Sequence, residues 1–99
     1  MEIGQEQPSR IVEVDPALLG KSKVEFPYHC LEQMKTRQIT EREVLAAVRY
    51  PDETGLPTQE NRERVRKFKK PTKAIDVVYE VWPDRVVVVT AFPKKFPKL

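Results

Sequence analysis

The sequence predicts an α+β domain in which two N-terminal helices pack on an antiparallel β-meander of three to four strands. Three observations predict it. Apolar residues recur at a 3–4 spacing between positions 30 and 48. Two later runs, 74–82 and 85–92, are rich in β-branched residues, and the first alternates in polarity. Nine prolines and three glycines among 99 residues leave room only for short elements between them.

Residues 1–22 read as an N-terminal arm with a short strand at 10–14. Asp15-Pro16-Ala17-Leu18-Leu19-Gly20 reads as one helical turn, capped by Asp15 and ended by Gly20. Residues 21–26 form a short extended stretch with Val24 and Phe26 on one face. A single α+β domain then spans 23–93, followed by a basic tail at 94–99.

Pro27 sets up the first helix, to about Arg37, with Cys30, Leu31 and Met34 on its apolar stripe. Thr40 and Glu43 form a capping box for a second helix that carries Val44, Leu45 and Val48 and ends before Pro51. A loop follows to Asn61. Arg62–Lys70 is a basic strand. In 74–82, Ile75, Val77, Tyr79 and Val81 share one face, and Asp76, Val78, Glu80 and Trp82 the other. Pro83-Asp84 makes a tight turn. Val86-Val87-Val88-Val89 reads as a central strand buried on both faces. The expected core is Leu31, Met34, Val44, Leu45, Val48, Val77, Tyr79, Val87 and Val89.

This size excludes a large enzyme, a two-domain clamp and a dinucleotide-binding unit. No apolar run approaches the roughly 20 residues that span a bilayer, so no membrane partner is expected. The acidic, polar start shows no apolar signal segment, and one cysteine cannot form an internal disulfide, so the cytoplasm is the expected compartment. No P-loop, nucleophile elbow or zinc-finger spacing occurs, and neither a cofactor nor a metal is expected. Charge is unevenly placed. Residues 1–50 hold seven Lys/Arg and eight Asp/Glu, whereas 51–99 hold eleven and seven, a net of +4 in the second half. That favours an anionic partner, nucleic acid before membrane.

Three features carry the chemistry. His29 is the only histidine. It reads either as a structural residue at a helix start or as a general acid or base. Cys30 lies on the apolar side of its helix, where a thiolate is disfavoured. The basic strand, with Arg64, Arg66, Lys67 and Lys69, reads either as a solvated edge or as a phosphate-binding face. Lys94 and Lys95 would extend that face, and Tyr79 and Thr90 would offer it hydroxyls.

The segment from His29 to Val44 fits H-x4-M-x2-R-x-I-[ST]-x2-E-V. It is followed by a Tyr-Pro-Asp turn, a basic strand, a Val-Val-Tyr-Glu strand and a Val-Val-Val-Thr strand. Over residues 24–92 this resembles the small prokaryotic domain-of-unknown-function family 4258, which is similar to the RelE-like and colicin-like ribonuclease toxins. The resemblance implies a RelE-like or barnase-like layout. It marks His29, Arg37, a strand cation (Arg66 or Lys67) and Thr90. The family usually has Gly after that arginine, where this chain has Gln38. Two functions follow. One is a metal-independent, toxin-type endoribonuclease, with His29 as acid or base, Arg37, Arg66 and Lys67 as phosphate clamps, and Tyr79 or Glu80 as second proton carrier. A cognate antitoxin would then be a partner. The other is a non-catalytic RNA- or protein-binding module on the same fold.

Overall fold

A computed structural model describes residues 8–98. The part of the expected arm at 1–7, and Leu99 of the tail, lie outside the described residues. The elements are β1 (Arg10–Leu18), β2 (Lys21–Phe26), α1 (Tyr28–Arg37), α2 (Glu41–Arg49), β3 (Glu63–Lys70), β4 (Lys73–Val81) and β5 (Val86–Lys95). They form one five-stranded mixed sheet in the order β1-β2-β5-β4-β3.

This corrects the expected fold class. The helices do not precede the sheet; they lie between its second and third strands. The meander β3-β4-β5 is present and antiparallel, but β5 also pairs in parallel with β2, Val24 opposite Val86 and Glu25 opposite Val87. The reason is the hairpin at 10–26. Leu18, Val24 and Phe26 are apolar and fully or almost fully buried, so this hairpin must join the main core.

The expected helical turn at 15–20 is instead the end of β1 and a two-residue turn. Leu18 pairs with Lys21, and Leu19 and Gly20 both have positive φ, 53° and 79°. Two left-handed residues match the twist of a tight hairpin, and glycine takes one of these positions without a Cβ penalty. Arg49 of α2 fixes this end of β1 by donating to the carbonyls of Pro16 and Ala17 at 2.8 and 3.3 Å.

Both helices cover one sheet face, α1 over β5 and α2 over β3 and β4. Between them and the sheet lie Cys30, Met34, Ile39, Val44, Ala47, Val48, Val65, Ile75, Val77, Tyr79, Val86, Val88 and Ala91. Of the expected core, Met34, Val44, Val48, Val77, Tyr79 and Val87 are buried. Leu31 and Leu45 are half-buried flank residues that pack against it. Val89 is half-buried at a register shift in the β4–β5 pairing, where the strand holds one residue more than its partner.

Two caps fix the helix pair. α1 ends at Gln38, left-handed at φ 59°, whose N–H donates to the Lys35 carbonyl while the Ile39 N–H donates to that of Met34. Gln38 thus occupies a conformation that favours glycine, the residue its resemblance led one to expect there. α2 starts at Thr40, whose Oγ1 accepts from the Glu43 N–H at 3.1 Å while the Glu43 carboxylate accepts from the Thr40 N–H at 2.9 Å. Thr40→Ala is expected to cost about 0.5–2 kcal/mol in urea unfolding, and Thr40→Asp to be nearly neutral. Equal losses in both variants would contradict the capping role.

Candidate nucleic-acid interface

The arginines of the basic strand are not free cations. β3 pairs with β4, Arg64 opposite Val78 and Arg66 opposite Asp76. Asp76 is fully buried on the sheet face away from the helices. It accepts from Arg64 Nε and Nη2 at 2.9 and 2.6 Å, and from Arg66 Nε and Nη2 at 2.7 and 3.0 Å. Burial pushes its carboxyl upward, but hydrogen bonds from Arg66 and Arg64 outweigh this and hold it below its ordinary value. Phe92 lies under the Arg64 guanidinium at 5.3 Å and Phe96 under that of Arg66 at 4.9 Å. The loop after α2 closes the edge: Glu53 exchanges backbone hydrogen bonds with Arg66 and pairs with its side chain at 3.2 Å. Arg62 likewise pairs with Glu80. Lys67 donates to the Tyr50 carbonyl at 2.8 Å.

The acid–base candidates are spread apart. His29 is exposed at the start of α1, with no side-chain hydrogen bond or ion pair among the described residues. Positions 29 and 37 are eight residues apart, about 12 Å along a helix axis. Tyr79 is a core residue, and burial, helped by the nearby Glu63 charge, raises its phenol above the ordinary value. Glu80 is occupied by Trp82 and Arg62, whose hydrogen bonds lower its carboxyl. Cys30 is buried, and desolvation pushes its thiol up to about 11 despite Arg37, which suits a packing residue. Among the described residues, no three His, Cys, Asp or Glu side chains converge as metal ligands do.

Other candidates converge at the C-terminal end of α1. Arg37 donates to Thr90 Oγ1 at 3.3 Å and to the Ala91 carbonyl at 2.8 Å, and Thr90 donates to Gln33 Oε1 at 2.6 Å. These bonds dock the helix end on β5. Beside it opens a cleft of about 190 Å³ lined by Arg37, Lys69, Lys73, Lys94 and Lys95 over Ile39, Ile75 and Pro93. Five lining residues are cationic and none is acidic. Lys69 reaches Glu43 of α2 at 2.6 Å, and that bond is the main cause lowering the Glu43 carboxyl. Lys73, Lys94 and Lys95 enter no ion pair among the described residues. Strand pairing sets Lys73 directly opposite Lys95, and the β3–β4 turn sets Lys70 opposite Lys73. Like charges facing across strands destabilise a sheet. The helix C-terminus, with its partial negative charge, offsets part of that repulsion.

Of the residues singled out in the sequence, Arg37, Lys69, Lys94 and Lys95 therefore line one cleft, with Thr90 bonded to Arg37. Arg64 and Arg66 form a separate neutralised cluster. His29, Lys67 and Tyr79 each stand elsewhere. Sequence reading missed Lys73, which lies at the β3–β4 turn, and Asp76, an acid within an apolar strand opposite alternating arginines. That juxtaposition was the available signal.

Fold and cleft together define a small two-layer α+β domain with a cationic cleft at one end. The chain belongs to the family described as Domain of unknown function (DUF4258), whose model matches residues 26–93. β1 and all of β2 but its last residue precede the matched region. Comparison with curated proteins and with solved structures gave no match.

Proposed function

We propose that this domain is an RNA-binding module without catalytic activity, which holds phosphates in the cleft formed by Arg37, Lys69, Lys73, Lys94 and Lys95. The observation that carries this reading is the composition of the cleft: five cations, no carboxylate, and two lysines face to face across strands. Elsewhere Arg62, Arg64, Arg66 and Arg85 are paired with buried or half-buried acids. Apolar residues form part of the lining; no carboxylate lines it, and of its five cations Lys69 is held by the Glu43 carboxylate. The kinship to RelE-like and colicin-like ribonuclease toxins that the family resemblance implies makes RNA the anion to test first.

Binding without cleavage fits the geometry better than a ribonuclease does. Cleavage through the 2′-OH needs a proton acceptor and donor beside the cations. His29 lies at the far end of α1 and Tyr79 lies in the core.

Affinity for a single-stranded RNA oligomer, measured between 50 and 300 mM salt, is expected to fall with a log–log slope of about −0.7 per neutralised phosphate. Lys73→Ala and Lys94→Ala should each weaken binding and flatten that slope by about one contact. Arg64→Lys should leave the slope unchanged, because Arg64 is already paired. The RNA should remain intact. No binding at 50 mM salt would contradict the proposal, as would cleavage that is lost in His29→Ala.

A further inference from the structure

The β4–β5 register brings two cations of the cleft to one point. Lys73 stands directly opposite Lys95, and two residues further along each strand Ile75 stands opposite Pro93. Side chains alternate across a strand, so Lys73 and Lys95 share the helix-covered face with Ile75, a residue of the core. Directly opposed residues of an antiparallel pair have Cβ atoms about 4.5–5.5 Å apart. Neither lysine enters an ion pair among the described residues. Arg37 is fixed further along the same strand, where its Nη1 donates to the Ala91 carbonyl at 2.8 Å and to Thr90 Oγ1 at 3.3 Å. Ala91 and Lys95 are four residues apart, about 13 Å along a strand. Lys69 is engaged by Glu43 at 2.6 Å. The cleft therefore carries a close pair of cations toward the end of β5 and a separate one toward α1.

We propose that the Lys73–Lys95 pair is a subsite for the terminal phosphomonoester of an RNA strand, an inference that rests on the RNA-binding reading above and names the phosphate that the cleft selects. Charge decides between an internal and a terminal phosphate. An internal phosphodiester carries one negative charge. A phosphomonoester carries about −1.5 to −2 at pH 7 and presents three strong acceptor oxygens. Two ammonium groups on directly opposed residues repel each other. One dianion between them offsets both charges; a single diester charge does not. Size points the same way. At about 190 Å³ the cleft falls below the roughly 300–1,000 Å³ of sites that enclose a whole small molecule, so it suits an end group. Ile39, Ile75 and Pro93 form apolar walls, and excluding water strengthens a charge pair.

The pairing also predicts a pH response that belongs to the ligand. The second proton of a phosphomonoester is bound near pH 6. The charged groups around the cleft are Arg37 of α1, Lys69 of β3 with Glu43 of α2, Lys73 of β4, and Lys94 and Lys95 of β5. Lysine and arginine ordinarily titrate above pH 10, and the Glu43 carboxyl is held below its ordinary value, so none of them changes charge between pH 5 and 7.5. His29 stands at the opposite end of α1 from Arg37.

The test uses fluorescence anisotropy at 50 mM salt with internally labelled single-stranded RNA 12-mers of one sequence, ending in a 5′-phosphate, in a 3′-phosphate, or in hydroxyls at both ends. Unlabelled 5′-AMP and 3′-AMP serve as competitors. At pH 7.5 one of the two phosphorylated strands is expected to bind about 10- to 150-fold tighter than the hydroxyl-ended strand, the worth of one charge-assisted contact. That advantage should shrink as pH falls to 5. Lys95→Ala should abolish it and Lys95→Arg should keep it. Lys23→Ala, opposite Glu13 on the β1–β2 hairpin, should bind as wild type does. Lys95→Ala removes one of two facing like charges, so its Tm should not fall. Both nucleotides should compete more weakly than the strand. Equal affinity for all three strands, each weakened alike by Lys95→Ala, would overturn the terminal-phosphate subsite and leave the RNA-binding cleft standing. A nucleotide that competes as tightly as the phosphorylated strand would overturn a strand end as the ligand in favour of a free phosphomonoester. Absence of binding to every strand would overturn both readings.

Discussion

Asp76→Ala is expected to destabilise the domain by about 3–5 kcal/mol, the loss seen when one partner of a buried ion pair is removed. Asp76 is fully buried beneath two guanidiniums whose side chains are 21% and 12% exposed. Without it, Arg64 has no carboxylate partner and Arg66 keeps only Glu53, which is itself half-exposed. The cation–π contacts with Phe92 and Phe96 do not replace a formal charge. Asp76→Asn should cost less, because shape and some hydrogen bonding survive. It should also change the acid limb of stability. The Asp76 carboxyl is held below its ordinary value, about 3.9 for an aspartate. A depressed carboxyl stabilises the fold fully above the unfolded value, and the contribution fades as pH falls from there toward the folded value. Urea unfolding between pH 2 and 6 should therefore show wild type losing more stability below about pH 4 than Asp76→Asn. Parallel curves would contradict the assignment.

Phe26→Ala should produce a loss of similar size, about 3–5 kcal/mol. Phe26 is the largest fully buried side chain, at the end of β2 and next to the start of α1. Its removal opens a cavity where the hairpin, α1 and β5 meet. For a domain of this size each kcal/mol lowers Tm by roughly 4–8 °C, so the fall should exceed about 12 °C. A loss below about 1 kcal/mol would show that β1 and β2 fold independently of the main core.

Local signals placed both helices, the capping box, the Pro83-Asp84 turn and the antiparallel pairing of β4 with β5. Each depends on neighbours within a few residues. The order of strands does not. Nothing local in Lys21–Phe26 states that it pairs in parallel with a strand sixty residues later, and that pairing makes the sheet mixed. Gly20 was ambiguous for a related reason. A left-handed glycine ends a helix and also turns a hairpin, and only burial of Leu18 in the common core decides between them.

The site was partly legible for the same reason. Arg37 lies in a helix and Thr90 in a strand far along the chain, and their association required the resemblance rather than periodicity. The density of positive charge in Arg62–Lys70 did not separate the arginines that bury an acid from the lysine that turns to the cleft. Arg64 and Arg66 face Asp76, whereas Lys69 turns to the cleft. Alternation along β4 put Asp76 on the face away from the helices, but composition alone gave no sign that the arginines of β3 would bury it.

The most direct test of the phosphate-cleft account is a map of amide chemical shifts as a single-stranded RNA oligomer is titrated into the isotope-labelled domain. The account predicts that the largest changes fall at 37–39, 69–75 and 94–96, with little change around His29 and along β1. Changes centred on His29, or on Arg64 and Asp76 alone, would contradict it.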